Sequence, residues 1–382
     1  MKKRYLISPG PTPVPEDVLL EMARPIMHHR TPQFSAVFAE CADGLKKLFK
    51  TENTVITLAS SGTGAMESSI TNLFSPGETV LAVNGGKFGE RWGLIAKTYG
   101  LNVEWIKVEW GQPVAVEAVK EAIEKNPDIS AILTQGSETS TTTEHPIREL
   151  AALTKDTDRL LIVDGITAVG VIDMPMDDWG IDVLLTGSQK AMMLPPGLAF
   201  VALSDKAWKR NETARLPRFY FDLAKEKKNV AKDTSAYTPA VSLIHGLRKV
   251  LEMMFEEGLD NVYQRHDILA KAARAGCAAL GLAPLSPVAP ANSATGLFVP
   301  DGIDGAALVK DLRDNYGVTF AGGQDHLKGK IVRIAHLGYF DSFDIIIALG
   351  AIEMALSKHG HNVELGKGVG AAQAVLNDRY KG

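Results

Sequence analysis

The chain has 382 residues, of which 45% are hydrophobic and 23% are charged, and its formal net charge is −4. This balance is ordinary for a soluble globular enzyme of two domains, and it points to no nucleic-acid or membrane partner. The only two cysteines, Cys41 and Cys277, exclude a disulfide framework and a cysteine-based zinc site, so we expect a protein of the reducing cytoplasm.

The chain begins with a basic segment, Met1–Arg4, but no apolar stretch follows it as in a secretory signal peptide. The longest apolar tract, at residues 344–356, carries acidic residues and is too short to cross a bilayer. We therefore predict a cytoplasmic protein that has no membrane segment.

Strand-like and helical patterns alternate between about residues 50 and 205. Short aliphatic runs predict strands that are buried on both faces, whereas apolar residues at helical spacing, such as Met66, Ile70 and Leu73, predict helices between them. The predicted strands are 54–58, 79–83, 103–108, 131–134, 160–163, 183–186 and 199–203, and the predicted helices include 116–125 and 147–155. This alternation indicates an α/β fold with a mostly parallel central sheet and helices on both faces.

The pattern changes after Pro239. Helices are predicted at 241–257, 260–280, 306–316 and 343–358, and strands at 295–299 and 330–335, which indicates a smaller α+β domain. We predict an N-terminal segment at 1–20, a large domain at 21–257 and a small C-terminal domain at 258–358. The tail at 359–382 contains a short predicted helix near 371–377 and has no predicted role.

A charged residue follows each of two predicted strands. Asp164 comes immediately after the strand at 160–163, and Lys190 comes a few residues after the strand at 183–186. A lysine amine can form a Schiff base with the aldehyde of pyridoxal phosphate, and an aspartate can keep the pyridine nitrogen protonated. Each residue also has an ordinary interpretation, because lysine commonly ends a strand and aspartate often caps a helix. Together they indicate a pyridoxal-phosphate site.

A Ser- and Gly-rich turn, Ser60–Ala65, connects a predicted strand to a predicted helix. Free main-chain N–H groups, the helix dipole and the hydroxyls of Ser61 and Thr63 suit a phosphate group. No lysine follows the glycines as in a Walker loop, and the glycine spacing differs from the dinucleotide-binding fingerprint. Alone the segment is an ordinary turn, but with Asp164 and Lys190 downstream it predicts where a cofactor phosphate binds.

In this order, the motifs resemble those of class V, fold-type I pyridoxal-phosphate aminotransferases, and the chain is most similar to the alanine–glyoxylate and serine–pyruvate group. The resemblance extends from a Pro-Gly-Pro segment within Ile7–Thr12 to the helix after Arg333. It is carried by Ser61–Thr63, Glu138–Thr141, Asp164, Ser188–Lys190 and Val332–Ile334. It implies the cofactor pyridoxal 5'-phosphate and a homodimer with its active site at the subunit interface.

The resemblance implies roles for the residues around the cofactor ring. Lys190 would form the Schiff base and then carry the substrate proton, while Asp164 would pair with the ring nitrogen. Phe88 would stack on the ring, Ile166 would pack beneath it, and Thr139 would lie near the phenolic oxygen. Without the resemblance, Phe88 would be a core residue and Thr139 part of a solvated loop.

The same resemblance implies a set of phosphate-binding residues. They are the turn residues Ser61, Gly62 and Thr63, the residue before the lysine, Gln189, and the pair Tyr237 and Thr238. Thr238 would reach the phosphate of the neighbouring subunit. Tyr237 would act similarly, although the relatives have extra residues between their tyrosine and threonine.

The resemblance also implies the substrate-binding residues. Arg333 would bind the substrate carboxylate through two parallel hydrogen bonds, and Pro9 and Gly10 of the N-terminal segment would bind the substrate as well. Its alternative role is that of a strand-end arginine in a surface ion pair. The segment His28–Arg30 resembles a loop that closes over the active site, with the substrate or the other subunit as its possible contact. No carboxylate or cysteine lies at a ligand-like spacing from its two histidines, so we predict no metal site.

The resulting hypothesis is an aminotransferase that moves the amino group of serine or alanine to glyoxylate or pyruvate by a ping-pong Schiff-base mechanism. The nearest alternative is a 2-aminoethylphosphonate–pyruvate transaminase. A lyase such as a cysteine desulfurase would need a mobile thiolate, whereas Cys41 and Cys277 lie in helical patterns. A binding protein that has lost the chemistry is disfavoured, because Lys190 and Asp164 are both present.

Overall fold

The computed structural model describes residues 2–377. The strands are β1 (Tyr5–Leu6), β2 (Val55–Leu58), β3 (Thr79–Asn84), β4 (Asn102–Lys107), β5 (Ile129–Gln135), β6 (Ser137–Glu138), β7 (Thr143–Glu144), β8 (Leu160–Asp164), β9 (Val183–Gly187), β10 (Ala199–Leu203), β11 (Ala294–Phe298), β12 (Val318–Thr319), β13 (Ala321–Gly322) and β14 (Ile331–Ala335).

The helices are α1 (Glu16–Met22), α2 (Pro32–Phe49), α3 (Gly62–Leu73), α4 (Lys87–Thr98), α5 (Val116–Lys125), α6 (Ile147–Ala152), α7 (Met176–Trp179), α8 (Asp205–Thr213), α9 (Leu223–Val230), α10 (Val241–Glu257), α11 (Leu259–Ala279), α12 (Gly305–Asp311), α13 (Ser342–Lys358) and α14 (Lys367–Asn377). A π-helical turn at Leu312–Tyr316 continues α12, and a 3-10 turn lies at Asp325–Leu327. None of the helices described is long and apolar enough to cross a membrane.

Seven strands form the central sheet in the order β2-β10-β9-β8-β5-β3-β4. Neighbours from β9 to β4 are parallel, whereas β10 is antiparallel to both β2 and β9. The predicted α/β fold with a mostly parallel sheet is therefore confirmed. Because β5, β8 and β9 run in the same direction, the residues that follow them meet at one edge of the sheet, where α/β proteins bind ligands.

Both faces of the central sheet are covered by helices, which explains its continuous apolar runs. Along β8, Leu161 and Val163 pack into a core with helices α2, α5, α6 and α10. Leu160 and Ile162 point to the other face and pack with helices α3, α4 and α8. Alternation along the strand therefore sends its side chains into two hydrophobic cores.

A second, smaller sheet is formed by the C-terminal part of the chain. Its strand order is β11-β14-β13, and all of its pairs are antiparallel. The N-terminal strand β1 pairs in parallel with β12, and Ala335 at the end of β14 donates a hydrogen bond to the main-chain oxygen of Ile7. The N-terminal segment thus runs along the small sheet before it reaches Pro9 and Gly10. The predicted domain limits remain predictions.

The C-terminal tail has a structural role that the sequence did not predict. Helix α14 begins at Lys367, earlier than expected, and Ala372 and Leu376 enter the core formed by α11, α13 and the small sheet. The buried Glu353 of α13 accepts hydrogen bonds from three main-chain N–H groups at the start of the tail helix: Gly366 (2.7 Å), Gly368 (2.8 Å) and Val369 (3.0 Å).

Candidate functional site

The candidate site lies where β8, β9, the β6–β7 loop and β14 come together. Lys190, three residues beyond β9, is largely buried, and its ammonium group donates a hydrogen bond to the main-chain oxygen of Pro9. Burial lowers the pKa of Lys190 to about 8, and the positive charge of Arg333 acts in the same direction, although Asp164 opposes it. The amine therefore becomes a usable nucleophile and base near neutral pH.

Gly10 gives the lysine the room that it needs. The backbone of Gly10 has φ of +135°, and a Cβ atom there would lie 2.2 Å from the Lys190 Nζ atom. Thr12, two residues later, holds the lysine backbone in place, because its hydroxyl donates to the main-chain oxygen of Lys190 at 2.9 Å. The predicted segment with Pro9 and Gly10 thus lies directly against the lysine.

Asp164 ends strand β8 and is buried. One carboxylate oxygen accepts a hydrogen bond from the Ile166 N–H at 2.8 Å. The pKa of Asp164 is raised to about 7, mainly by burial and also by the nearby Glu138 carboxylate, while the Ile166 N–H, Arg91 and Lys190 act to lower it. A buried carboxylate of this kind is stabilised in its charged form when a cation, such as a protonated pyridine nitrogen, lies beside it.

The Ser- and Gly-rich turn leads into helix α3, which starts at Gly62 after the N-cap residue Ser61. The Ser61 side chain makes no capping hydrogen bond. Gly62 lies so close to Ile166 that a Cβ atom there would be 2.3 Å from the Ile166 Cδ1 atom. A helix N-terminus that lacks a side-chain cap is suited to bind a phosphate group.

Gln189 provides a further indication that this region binds a polar group. Its side-chain Oε1 atom is buried and has no hydrogen-bond partner among the described residues, and it faces Gly187 next to the start of α3. Buried polar atoms nearly always have partners, so an unpaired one indicates a group that binds there. Together with the lysine, the aspartate and the turn, this set of polar groups fits pyridoxal phosphate.

Phe88 lies in the first turn of α4, and the Arg91 guanidinium covers one face of its ring at 4.8 Å from the centroid. Arg91 also donates a hydrogen bond to the Thr63 hydroxyl at 3.1 Å. Its charge adds to the burial that lowers the pKa of Lys190 and opposes the burial that raises the pKa of Asp164. Arg91 was not recognisable from the sequence as a residue of the site, although it lies one helical turn after Phe88.

Arg333, in β14, is only 7% exposed, so it is not the strand-end arginine of a surface ion pair. Its Nε and Nη2 atoms donate to the Gly322 oxygen at 3.1 and 2.9 Å, and Nη1 donates to the Thr139 oxygen at 2.8 Å. Burial lowers the pKa of Arg333 to about 10. These bonds fix the guanidinium in one orientation next to the β6–β7 loop.

The β6–β7 loop is buried rather than solvated. The Thr139 hydroxyl hydrogen-bonds to the Thr167 hydroxyl at 2.8 Å, close after Asp164 in the chain. The adjacent Glu138 is fully buried, and its carboxylate accepts hydrogen bonds from the N–H groups of Phe88 and Gly89. The sequence motif contained Glu138, but its role could not be recognised from the sequence alone.

Tyr237 and Thr238 make none of the contacts described above for Lys190, Asp164 and the Ser60–Ala65 turn. The Tyr237 hydroxyl donates to the Phe219 oxygen at 2.9 Å, and its ring stacks on Tyr220 with centroids 5.2 Å apart, while Thr238 is exposed. Arg30 from the predicted closing loop binds the same segment through the Thr234 hydroxyl at 2.8 Å. The predicted contribution of Tyr237 and Thr238 to a phosphate site in the neighbouring subunit remains a prediction.

Neither cysteine resembles a reactive thiolate. Both are buried in helices, Cys41 in α2 and Cys277 in α11. Burial raises the pKa of Cys41 to about 12 and also raises the pKa of Cys277. These thiols are poorly suited to the desulfurase alternative. Within residues 2–377, no group of three or more His, Cys, Asp or Glu side chains could hold a metal ion.

Residues 4–336 match the family described as class-V aminotransferases. The chain is 42% identical to a protein of Synechococcus sp. named soluble hydrogenase, small subunit, over 98% of this chain and 99% of that protein. It is 37% identical to L-aspartate–glyoxylate aminotransferase of Paracoccus denitrificans, over 96% and 94% of the two chains. It is 38% identical to serine–glyoxylate aminotransferase of Hyphomicrobium methylovorum, over 96% and 93%.

The solved structure of ureidoglycine–glyoxylate aminotransferase from Bacillus subtilis superimposes on this chain with a TM-score of 0.94 at 27% identity. The superposition covers 99% of each chain. The fold is therefore that of this group over its whole length, including the small sheet and the tail helix α14.

Proposed function

The chain belongs to the class-V aminotransferase family, and from this premise we propose that it is a pyridoxal-phosphate enzyme that transfers the amino group of a small L-amino acid, serine or alanine, to glyoxylate or pyruvate. The observation that carries the proposal is the pair Lys190 and Asp164. A largely buried amine lies just beyond β9, a buried carboxylate ends the neighbouring parallel strand β8, and the two influence each other electrostatically.

When bound at this site, pyridoxal phosphate supplies an electron sink that makes the α-proton of an amino acid acidic. Lys190 would hold the cofactor, Asp164 would pair with its ring nitrogen, and Phe88, Ile166 and Thr139 would surround the ring. The phosphate would be bound by one group of residues, Ser61, Gly62, Thr63 and Gln189, with Tyr237 and Thr238 of a second subunit.

The residues of the chain have distinct tasks in the transfer. Lys190 would take the α-proton of the donor, because its lowered pKa allows it to be an unprotonated base near neutral pH. Arg333 binds the carboxylate of the donor and then that of the acceptor through a guanidinium fork that is already oriented. Because donor and acceptor use one site in turn, the kinetics are ping-pong.

The choice of substrates rests on the relatives. The two named aminotransferases and the solved structure all have glyoxylate in their names, whereas their donors are aspartate, serine and ureidoglycine. This common acceptor supports glyoxylate more strongly than it supports any one donor. We further propose a cytoplasmic homodimer, in which Thr238 of each subunit completes the site of the other.

The direct test is an initial-rate assay of L-serine, L-alanine, L-aspartate and 2-aminoethylphosphonate, each with glyoxylate and with pyruvate. We expect parallel double-reciprocal lines with serine or alanine and glyoxylate, and no rate with the Lys190→Ala variant. Turnover of 2-aminoethylphosphonate alone would replace the proposed donor class, and turnover by Lys190→Ala equal to wild type would refute the assignment of the lysine.

A further inference from the structure

Glu138 is a fully buried carboxylate beside the site, and all of its hydrogen bonds come from two short segments. Its Oε2 atom accepts from the N–H groups of Phe88 at 3.1 Å and Gly89 at 2.9 Å. Its Oε1 atom accepts from the Ser140 N–H at 3.1 Å and the Ser140 hydroxyl at 2.5 Å. Burial raises the pKa of Glu138, and these four donors act to lower it, so they offset part of the desolvation that burial of a carboxylate costs.

Helix α4 lacks an N-cap side chain of its own, because the residue at that position is Gly86. The Ser140 hydroxyl accepts from the Lys87 N–H at 3.0 Å, and Glu138 accepts from the next two N–H groups. The whole first turn of α4 is therefore capped by a loop about fifty residues later in the chain. A negative charge at this end also interacts favourably with the helix dipole.

Gly86 provides the space in which this arrangement fits. A Cβ atom at Gly86 would lie 2.3 Å from the Ser140 Oγ atom and 2.5 Å from the Glu138 Cδ atom. Both are buried atoms of side chains held by several hydrogen bonds, so neither can move aside easily. The glycine and the carboxylate are consequently parts of one arrangement.

The same carboxylate is connected to the rest of the site. Its neighbour Thr139 offers a main-chain oxygen to Arg333 at 2.8 Å and a hydroxyl to Thr167 at 2.8 Å. The charge of Glu138 adds to the burial that raises the pKa of Asp164 and opposes the burial that lowers the pKa of Arg333. Glu138 thus connects Phe88, Asp164 and Arg333, through hydrogen bonds or through its charge.

We propose that Glu138 is a positioning residue of the aminotransferase site: its buried carboxylate caps α4 and thereby fixes Phe88 relative to Thr139 and Arg333, which sets the orientation of the cofactor ring. The inference rests on the proposed function, since it requires pyridoxal phosphate at Lys190. The hydrogen bonds of the Glu138 carboxylate go to Phe88, Gly89 and Ser140 rather than to the Ser60–Ala65 turn or to Lys190.

The test compares Glu138→Gln with Glu353→Gln in the full-length protein. Glutamine keeps the size of the side chain, but its NH2 group must face one of the two pairs of donors. Glu353 is a matched control, because it is also buried and accepts three main-chain N–H groups, but it belongs to α13 and its partners are at the start of α14. Both variants are expected to have a lower melting temperature than wild type.

Only Glu138→Gln is expected to change how the cofactor binds. A displaced Phe88 should hold the cofactor ring less well, so the dissociation constant of pyridoxal phosphate, measured by fluorescence, should rise about tenfold. The circular dichroism induced in the visible band of the cofactor should fall, which reports a changed ring orientation independently of turnover. Glu353→Gln should match wild type in both measurements.

Gly86→Ala disturbs the same cap from the other side and is the second variant if Glu138→Gln does not fold. It should reduce the induced circular dichroism in the same way. If a folded Glu138→Gln or Gly86→Ala protein has the dissociation constant and circular dichroism of wild type, the positioning role is refuted. If wild type shows no visible band, the proposed function fails first, and the inference fails with it.

Discussion

Burial acts on Lys190 and Asp164 in opposite directions, and both effects suit a cofactor site. The pKa of Lys190 falls to about 8 and that of Asp164 rises to about 7, because each group is less stable when charged in the interior. A protein core would not retain such a pair for stability alone, since hydrophobic residues of similar size would serve better. We propose that the pair serves a ligand that reacts with the amine and interacts with the carboxylate.

The lowered pKa of Lys190 predicts the pH dependence of its reactivity in the apoprotein. An amine reacts only when it is unprotonated, so labelling of Lys190 by an acylating reagent should rise with pH and reach its midpoint near pH 8. Arg333→Gln removes a neighbouring cation that disfavours protonation, so it should move this midpoint to higher pH. Mass spectrometry of the labelled peptide measures it, with the exposed Lys155 as internal reference. A midpoint unchanged by Arg333→Gln would contradict the predicted coupling.

Gly10 allows a second prediction at the scale of one residue. Gly10→Ala places a methyl group on the Lys190 amine and adds strain at a φ of +135°, so cofactor binding should be lost. Gly100→Ala is the control, because Gly100 also has a positive φ of +78° but its Cβ atom would meet nothing within 4 Å. Absorption of bound cofactor compares the two variants. Equal cofactor binding by both would show that the predicted contact with Lys190 is unimportant.

At the scale of elements, the sequence predicted best where an apolar pattern is unambiguous. Helices α5 and α10 and strand β10 have the predicted bounds, since each is a continuous pattern with clear ends. The antiparallel direction of β10 was not predictable, because a strand buried on both faces has the same pattern in either direction. The predicted helix at 306–316 is α-helical only to Asp311 and then becomes a π-helical turn.

The residues of the site also divide into those that a local motif predicts and those that only the packing of the elements brings together. Lys190, Asp164 and the turn before α3 were recognisable because each follows a strand within a local motif. Glu138 was not, because its partners Phe88 and Gly89 are about fifty residues away and bind through main-chain N–H groups that leave no mark in the sequence. Arg91 was missed because its contacts with Phe88 and Thr63 depend on how α3 and α4 pack.

Helix α14 provides a prediction about stability. Leu376 is buried against α11 and α13, so Leu376→Ala should lower the free energy of unfolding by about 2–5 kcal/mol. Gln373 is exposed on the same helix, and Gln373→Ala should leave the free energy nearly unchanged. Urea unfolding followed by circular dichroism measures both. Equal stability of the two variants would mean that the tail does not contribute to the core.

At the scale of the whole molecule, the proposed dimer predicts complementation between subunits. Thr238→Ala alone should weaken cofactor binding, and Lys190→Ala alone should abolish the cofactor band. In a hybrid of the two, one site combines the intact Lys190 of one subunit with the intact Thr238 of the other. Differently tagged subunits, co-expressed and purified as the hybrid, should therefore bind the cofactor at that site as tightly as wild type.

The two homodimeric variants are the controls for this experiment. Affinity of the hybrid no better than that of the Thr238→Ala homodimer would contradict a contribution of Thr238 across the subunit boundary. Each active site would then be formed by the residues of one subunit. Tyr237 and Thr238 would act, if at all, within their own subunit.

The central claim is that Lys190 binds pyridoxal phosphate in a site where an amino acid donates its amino group. Its most direct test is the visible absorption spectrum of the purified protein with pyridoxal phosphate, titrated with L-serine or L-alanine and then with glyoxylate. The account predicts a visible band that the donor removes and glyoxylate restores, and no such band in Lys190→Ala. The absence of a band from the wild-type protein after addition of pyridoxal phosphate would contradict it.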